Sequence, residues 1–145
     1  LQKLADEGVL ISSALAPVRN NFAEACITAL DDGTIHELAL RKKVAYYACE
    51  NALNRGGAFW GGKPEALRWR GTYEWLVGNQ EKARGWWERS MQLSEEYKMP
   101  YEKALTLFEI GKRLKDTERL RAAKWMFEAL DAEGDFERVK VEMGS

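Results

Sequence analysis

The stretch Ala66–Pro100, ALRWRGTYEWLVGNQEKARGWWERSMQLSEEYKMP, limits this chain to a narrow set of folds. It reads as two amphipathic helices joined by a tight turn. Leu67, Gly71 and Trp75 recur every four residues, which puts them on one helix face. Gly78-Asn79 is a stop-and-turn signal. Ala83, Trp87 and Met91 then repeat the four-residue spacing on a second helix. The next segment follows the same plan, with Leu107, Gly111, Ala123 and Phe127 each 40 residues after Leu67, Gly71, Ala83 and Trp87. A helical hairpin of this kind cannot bury its apolar face alone and stacks on a neighbour. The expected fold is all-α, with stacked antiparallel hairpins of six to eight helices and no sheet.

The order Leu67, Gly71, Gly78, Ala83, Trp87 resembles a tetratricopeptide repeat, and GNQEKARGWWERS is similar to that family's turn and second helix. Leu107, Gly111, Ala123 and Phe127 match again, less completely. The period of 40 exceeds the family's usual 34, so the second helix should run about one and a half turns long. The family's late alanine falls on Ser90 and Leu130. The likeness covers Pro64 to Asp131, about half the chain.

At 145 residues, the chain is read as a single helical-repeat domain, 1–145, with a sizeable core. Within it, 1–55 reads as degenerate helices, 64–98 and 101–131 as repeats, and 135–142 as a cap. Leu1 to Ala16 reads as one helix with Leu4, Gly8, Ile11 and Leu15 inward, and Pro17 ends it or starts the next. Val18 to Leu30 carries the stripe Phe22, Cys26, Leu30. After the turn Asp31-Asp32-Gly33-Thr34, with Thr34 and Glu37 as a capping box, a helix from Ile35 to Asn54 places Leu40, Val44, Tyr47 and Asn51 along one side. A turn is expected at Lys115 to Thr117, and Ala132-Glu133-Gly134 should break the chain before a short terminal helix, Asp135 to Glu142.

A net charge of −1 gives no broad field toward nucleic acid or an anionic membrane. No apolar run reaches the ~18 residues of a membrane span. The chain starts at Leu1, and it reads as a cytoplasmic fragment of a longer protein. The six Trp are many, and a helical repeat uses Trp between its layers. Cys26 and Cys49 lie within helical patterns and off metal or redox spacing, so each reads as a buried reduced thiol.

Gly57 to Lys63 fills the G-x-x-x-x-G-K spacing of a phosphate loop. Pro64 stands where the magnesium-binding hydroxyl should be, and a helix precedes the loop where the motif needs a strand. The loop is therefore read as an interhairpin turn, with Phe59 and Trp60 folded onto the stack or exposed as a contact. His36 is the only histidine and has no partners for zinc or for catalysis. Serines lie outside nucleophile elbows, and the carboxylates alternate with Lys and Arg as solvated helix faces. No catalytic residue, metal or cofactor is expected.

The tetratricopeptide resemblance implies a groove lined by first helices that receives a peptide. Carried over with Gly71 and Gly111 as equivalent points, it would hold Arg68, Thr72 and Trp75 from one repeat and Phe108, Lys112 and Lys115 from the next. The family's carboxylate-holding pattern needs Lys and Asn where this chain has Arg68 and Thr72, so recognition of chaperone tails is not implied. The wording from ALRWRGTYEWLVGNQ to ALDAEGDFERV is similar to the C-terminal ends of large bacterial signalling proteins with a cyclase or kinase head and a nucleotide-hydrolysing domain. Helical-repeat transcription activators have similar tails. The implied function is a non-enzymatic protein-interaction and regulatory module, whose partner is a protein, a peptide or another domain of the same chain. The alternative is a structural or oligomerising stack without a ligand.

Overall fold

The computed structural model describes residues 2–32, 38–55 and 62–144, with side chains for 17–32, 41–54 and 62–144. Those residues form seven α-helices and no strand: α1 (Gln2–Asp31), α2 (Leu38–Arg55), α3 (Lys63–Leu76), α4 (Gln80–Glu96), α5 (Pro100–Leu114), α6 (Thr117–Ala129) and α7 (Glu133–Gly144). No described helix is long and apolar enough to cross a membrane. The chain falls into two compact units, residues 1–86 and 87–145.

In the first unit, α1 packs on α2, and α3 packs on both. The proline expected to divide the N-terminal segment does not do so. Pro17 lies inside α1, which runs unbroken for 30 residues. A proline removes one rung of the hydrogen-bond ladder and crowds the preceding turn, and neighbouring rungs carry the helix past it. The inward faces also differ from the expected stripes. On α1 the buried residues are Asn20, Ala23, Ile27 and Leu30, whereas Phe22 is 56% exposed. On α2 the buried residues are Ala45, Ala48, Cys49 and Ala52, whereas Val44, Tyr47 and Asn51 are exposed. The side chains of Leu4, Ile11, Leu15 and Leu40, and the Thr34–Glu37 capping box, lie outside the described residues. The physical reason for the shift is size. Alanines let two helix axes approach closely, so the small-residue face is the one that seals, and the bulky side chains turn outward.

Asn20 fixes where α3 begins. Its Nδ2 donates to the Gly62 carbonyl at 3.1 Å and to Glu65 Oε2 at 2.9 Å. Pro64 occupies the first turn of α3, where its missing N–H is not needed. Gly78 ends the α3 turn at φ +93, a conformation that favours glycine, as the Gly-Asn signal implies.

In the second unit, α5 packs on α6 and α6 on α7. Ala104, Phe108, Leu120, Ala123, Phe127 and Val139 form its core. Phe127 meets Phe108 and Tyr101 edge to face, with ring centroids 6.5 and 6.0 Å away. Gly111 lies where α5 and α6 touch. A methyl there would come 2.8 Å from Leu120 Cγ and 3.0 Å from its backbone nitrogen, so the close approach requires glycine. The expected turn at Lys115–Thr117 is present. Lys115 closes α5 in the left-handed region, and Asp116 caps α6 by accepting from the Arg119 N–H at 3.1 Å.

Ala83 and Trp87 are fully buried on α4, together with Ser90 and Ser94. Ser90 is fully buried, as a small residue in that position allows. Its hydroxyl pairs with Thr106 Oγ1 at 3.0 Å, and this satisfies both groups away from water. The lengthening expected of the second helix is not general: α4, with 17 residues, is longer than α3 with 14, whereas α6, with 13, is shorter than α5 with 15. The terminal helix α7 starts at Glu133, so Gly134 lies in its first turn and does not break the chain. The break instead falls on Asp131, at φ 53.

Candidate functional site

The six groove residues expected from the repeat register are placed as follows. On α3, Arg68 is buried, with its guanidinium 4.7 Å from the centre of the Trp69 ring. Thr72 is fully buried and donates to the Arg68 carbonyl at 3.2 Å. Trp75 is half-buried. On α5, Phe108 is buried in the core of the second unit. Lys112 Nζ lies 5.8 Å over the Phe108 ring and 3.2 Å from Glu109. Lys115 is exposed and bonds Glu142 Oε1 at 2.9 Å. Three of the six therefore pack inside, and Trp75, Lys112 and Lys115 keep surface.

The α5 cations have a second task. Glu109 is buried between Arg113, 2.7 Å away, and Lys112. Burial pushes its carboxyl upward, but the two cations and their hydrogen bonds outweigh that and hold it below the usual carboxylate range. Phe108 also receives Arg138 from α7, 5.3 Å from its ring centre. Lys112 is thus committed to the fold on two sides. Lys115, with Thr117, Leu120, Glu142 and Met143, lines a shallow cleft of about 240 Å³. A second cleft of about 290 Å³ lies over Phe127 and Phe136, rimmed by Glu128, Asp131 and Glu133.

The chemically densest place in the first unit was not expected from the sequence. Arg70 is buried, its guanidinium 4.6, 5.7 and 5.3 Å from the ring centres of Tyr46, Tyr73 and Trp86. It bonds Glu74 Oε1 through Nη2 at 2.9 Å and Nε at 3.2 Å, and it pairs with Glu50 from α2. Asn79 Nδ2 donates to the other Glu74 oxygen at 2.7 Å. Burial alone would lower the Arg70 pKa, but the Glu74 hydrogen bonds and the Glu50 and Glu74 charges raise it on balance. The guanidinium is therefore a fixed cation that ties α2 to α3. The only sequence signal for it is the i,i+4 pair Arg70–Glu74, which reads like any surface pair.

The second feature missed in the sequence is apolar surface. Val18 and Phe22 on α1, and Val44 and Tyr47 on α2, stand exposed at helical spacing, with Tyr47 at 60%. In the second unit, Trp125 on α6 and Val141 on α7 are exposed at 70% and 74%. The signal for these was the run of alanines beside them, which already defines a seam.

Phe59 and Trp60, the alternative loop contact, lie outside the described residues, as do His36 and Gly57–Gly61 of the apparent phosphate loop. Lys63 and Pro64 open α3, and helix α2 precedes the loop. Among the described residues, no group of three or more His, Cys, Asp or Glu side chains could hold a metal ion. No protein-family model, curated protein or solved structure matches this chain.

Proposed function

We propose that this chain is a non-enzymatic interaction module built from helical hairpins, which docks a protein or peptide partner through apolar helix faces. The observation that supports it best is the pair of exposed stripes Val18–Phe22 and Val44–Tyr47, on helices whose opposite faces are already sealed by alanine. Large apolar groups left outward on regular helices favour contact with another surface. The likeness of the sequence to the tails of large bacterial signalling proteins suggests the setting, a regulatory tail whose partner is another domain of its own chain. Of the residues expected to line a groove, Trp75 in the first unit and Lys115 in the second keep surface for such a contact.

A photo-crosslinking amino acid placed at Phe22 or Tyr47, in cells that produce the protein, tests this reading. One discrete adduct is expected from both positions, and none from the exposed turn residue Asn79. Tyr47→Ala should weaken that contact by more than ~1 kcal/mol. Absence of any adduct from a folded chain sinks the proposal.

The burial of Phe108 favours a second reading for the α5 face, that of a scaffold with no ligand of its own. Self-association in sedimentation, unaffected by Lys112→Glu, would support it.

A further inference from the structure

Two thiols stand in the same seam. Cys26 occupies the middle of the α1 stripe, between Ala23 and Leu30, and Cys49 the middle of the α2 stripe, between Ala45 and Ala52. Consecutive helices α1 and α2 pack on each other, and both stripes enter one core cluster, with Cys49 inside it and Cys26 against it. Four alanines of α1 and α2, Ala23, Ala45, Ala48 and Ala52, belong to that cluster. Small residues bring helix axes to the short end of the usual ~8–10 Å, a separation at which β-carbons that face each other come within reach of a disulfide. Both cysteines are free thiols in this structure.

We propose that Cys26 and Cys49 are a redox-controlled pair that cross-links α1 to α2 under sustained oxidation. The oxidant is a small-molecule disulfide of the glutathione class. Cys26 is half-buried and is the thiol such a molecule reaches, whereas Cys49 is sealed. The Cys26 thiolate attacks one sulfur of the small disulfide and expels a thiolate, leaving a mixed disulfide on Cys26. The Cys49 thiolate then attacks Cys26 Sγ and expels the second small thiolate. Two protein thiols lose two electrons and two protons, and the small disulfide gains them as two thiols.

Burial sets the speed. It raises the Cys26 thiol, and it pushes Cys49 up to about 12; Arg70 lowers the latter and a charge on Cys26 raises it further. At neutral pH both are almost wholly protonated, so exchange is slow. The pair answers a lasting shift in redox poise and ignores a brief pulse. Once closed, the bond holds α1 on α2 and fixes the seam behind Val18 and Phe22.

The test is to incubate the folded chain for hours with oxidised glutathione, block free thiols, and map peptides without reduction. The expected product is a monomer lighter by two hydrogens, with the Cys26 and Cys49 peptides joined. Its melting temperature should rise by roughly 5–10 °C and return to the starting value with a thiol reductant. Cys49→Ser should stop at the glutathione adduct on Cys26. A lasting adduct on Cys26 of the wild-type chain, a cross-link mainly between chains, or two unreacted thiols where the urea-unfolded chain reacts would each overturn the proposal.

Discussion

Arg70→Ala is expected to destabilise the first unit by roughly 3–5 kcal/mol, the range for breaking a buried ion pair from one side. The size follows from what is left behind. Glu74 has a side chain only 5% exposed and loses both bonds from the guanidinium, keeping the one from Asn79 Nδ2. Glu50 suffers less, because its side chain is one-third exposed and water can replace the lost partner. Three rings also lose the cation between them, and a cavity opens among Tyr46, Tyr73 and Trp86. Urea denaturation measures the change. A double variant, Arg70→Met with Glu74→Leu, should recover most of the loss, since it removes the stranded charge as well. A single variant as stable as wild type would show that the guanidinium is solvated and not enclosed.

Trp87→Ala should cost a similar ~3–5 kcal/mol, for a different reason. Among the described residues, Trp87 is the largest side chain with no solvent exposure, so its removal forfeits apolar burial and leaves a cavity that helices cannot close without shifting. Thermal unfolding followed by circular dichroism should show a fall of about 10 °C. Trp87→Phe should recover most of it, because a six-membered ring fills much of the space. An unchanged melting temperature would place Trp87 on the surface and break the repeat register that predicted its burial.

That register shows how much of the fold the sequence discloses. Gly111, Ala123 and Phe127 were legible because each has one feasible role. A glycine admits Leu120, an alanine sits at zero exposure, and a phenylalanine fills the centre. Gly78 was legible because its positive φ favours glycine, and the Lys115–Thr117 turn coincides with an aspartate that caps the next helix. The N-terminal helices were not, because reading by size favours Phe22 and Tyr47 for the core, whereas the interface selected Ala23 and Ala48. Pro17 misled for a related reason: a lost hydrogen bond is a local cost, and continuity of a long helix is settled by everything around it. For the site, the sequence named Arg68, Thr72 and Phe108 as surface groups by analogy of register, and burial removes them from direct contact. The Arg70 cluster joins residues 46, 50, 70, 74, 79 and 86, and no linear pattern brings those together.

The alanine seam of the first unit has a kinetic counterpart. Each methyl removed from water contributes only a fraction of what a buried ring does, so prying α1 from α2 costs little per residue. The second unit holds its helices around Phe108 and Phe127 and must give up far more apolar contact to open. Amide protons of α1 and α2 should therefore exchange with solvent through local opening well before those of α5 and α6, and a protease should nick the N-terminal helices first. The chain is built with a loosely fastened front and a tightly fastened back, and any event that fastens the front will be visible as slowed exchange there while the back stays unchanged.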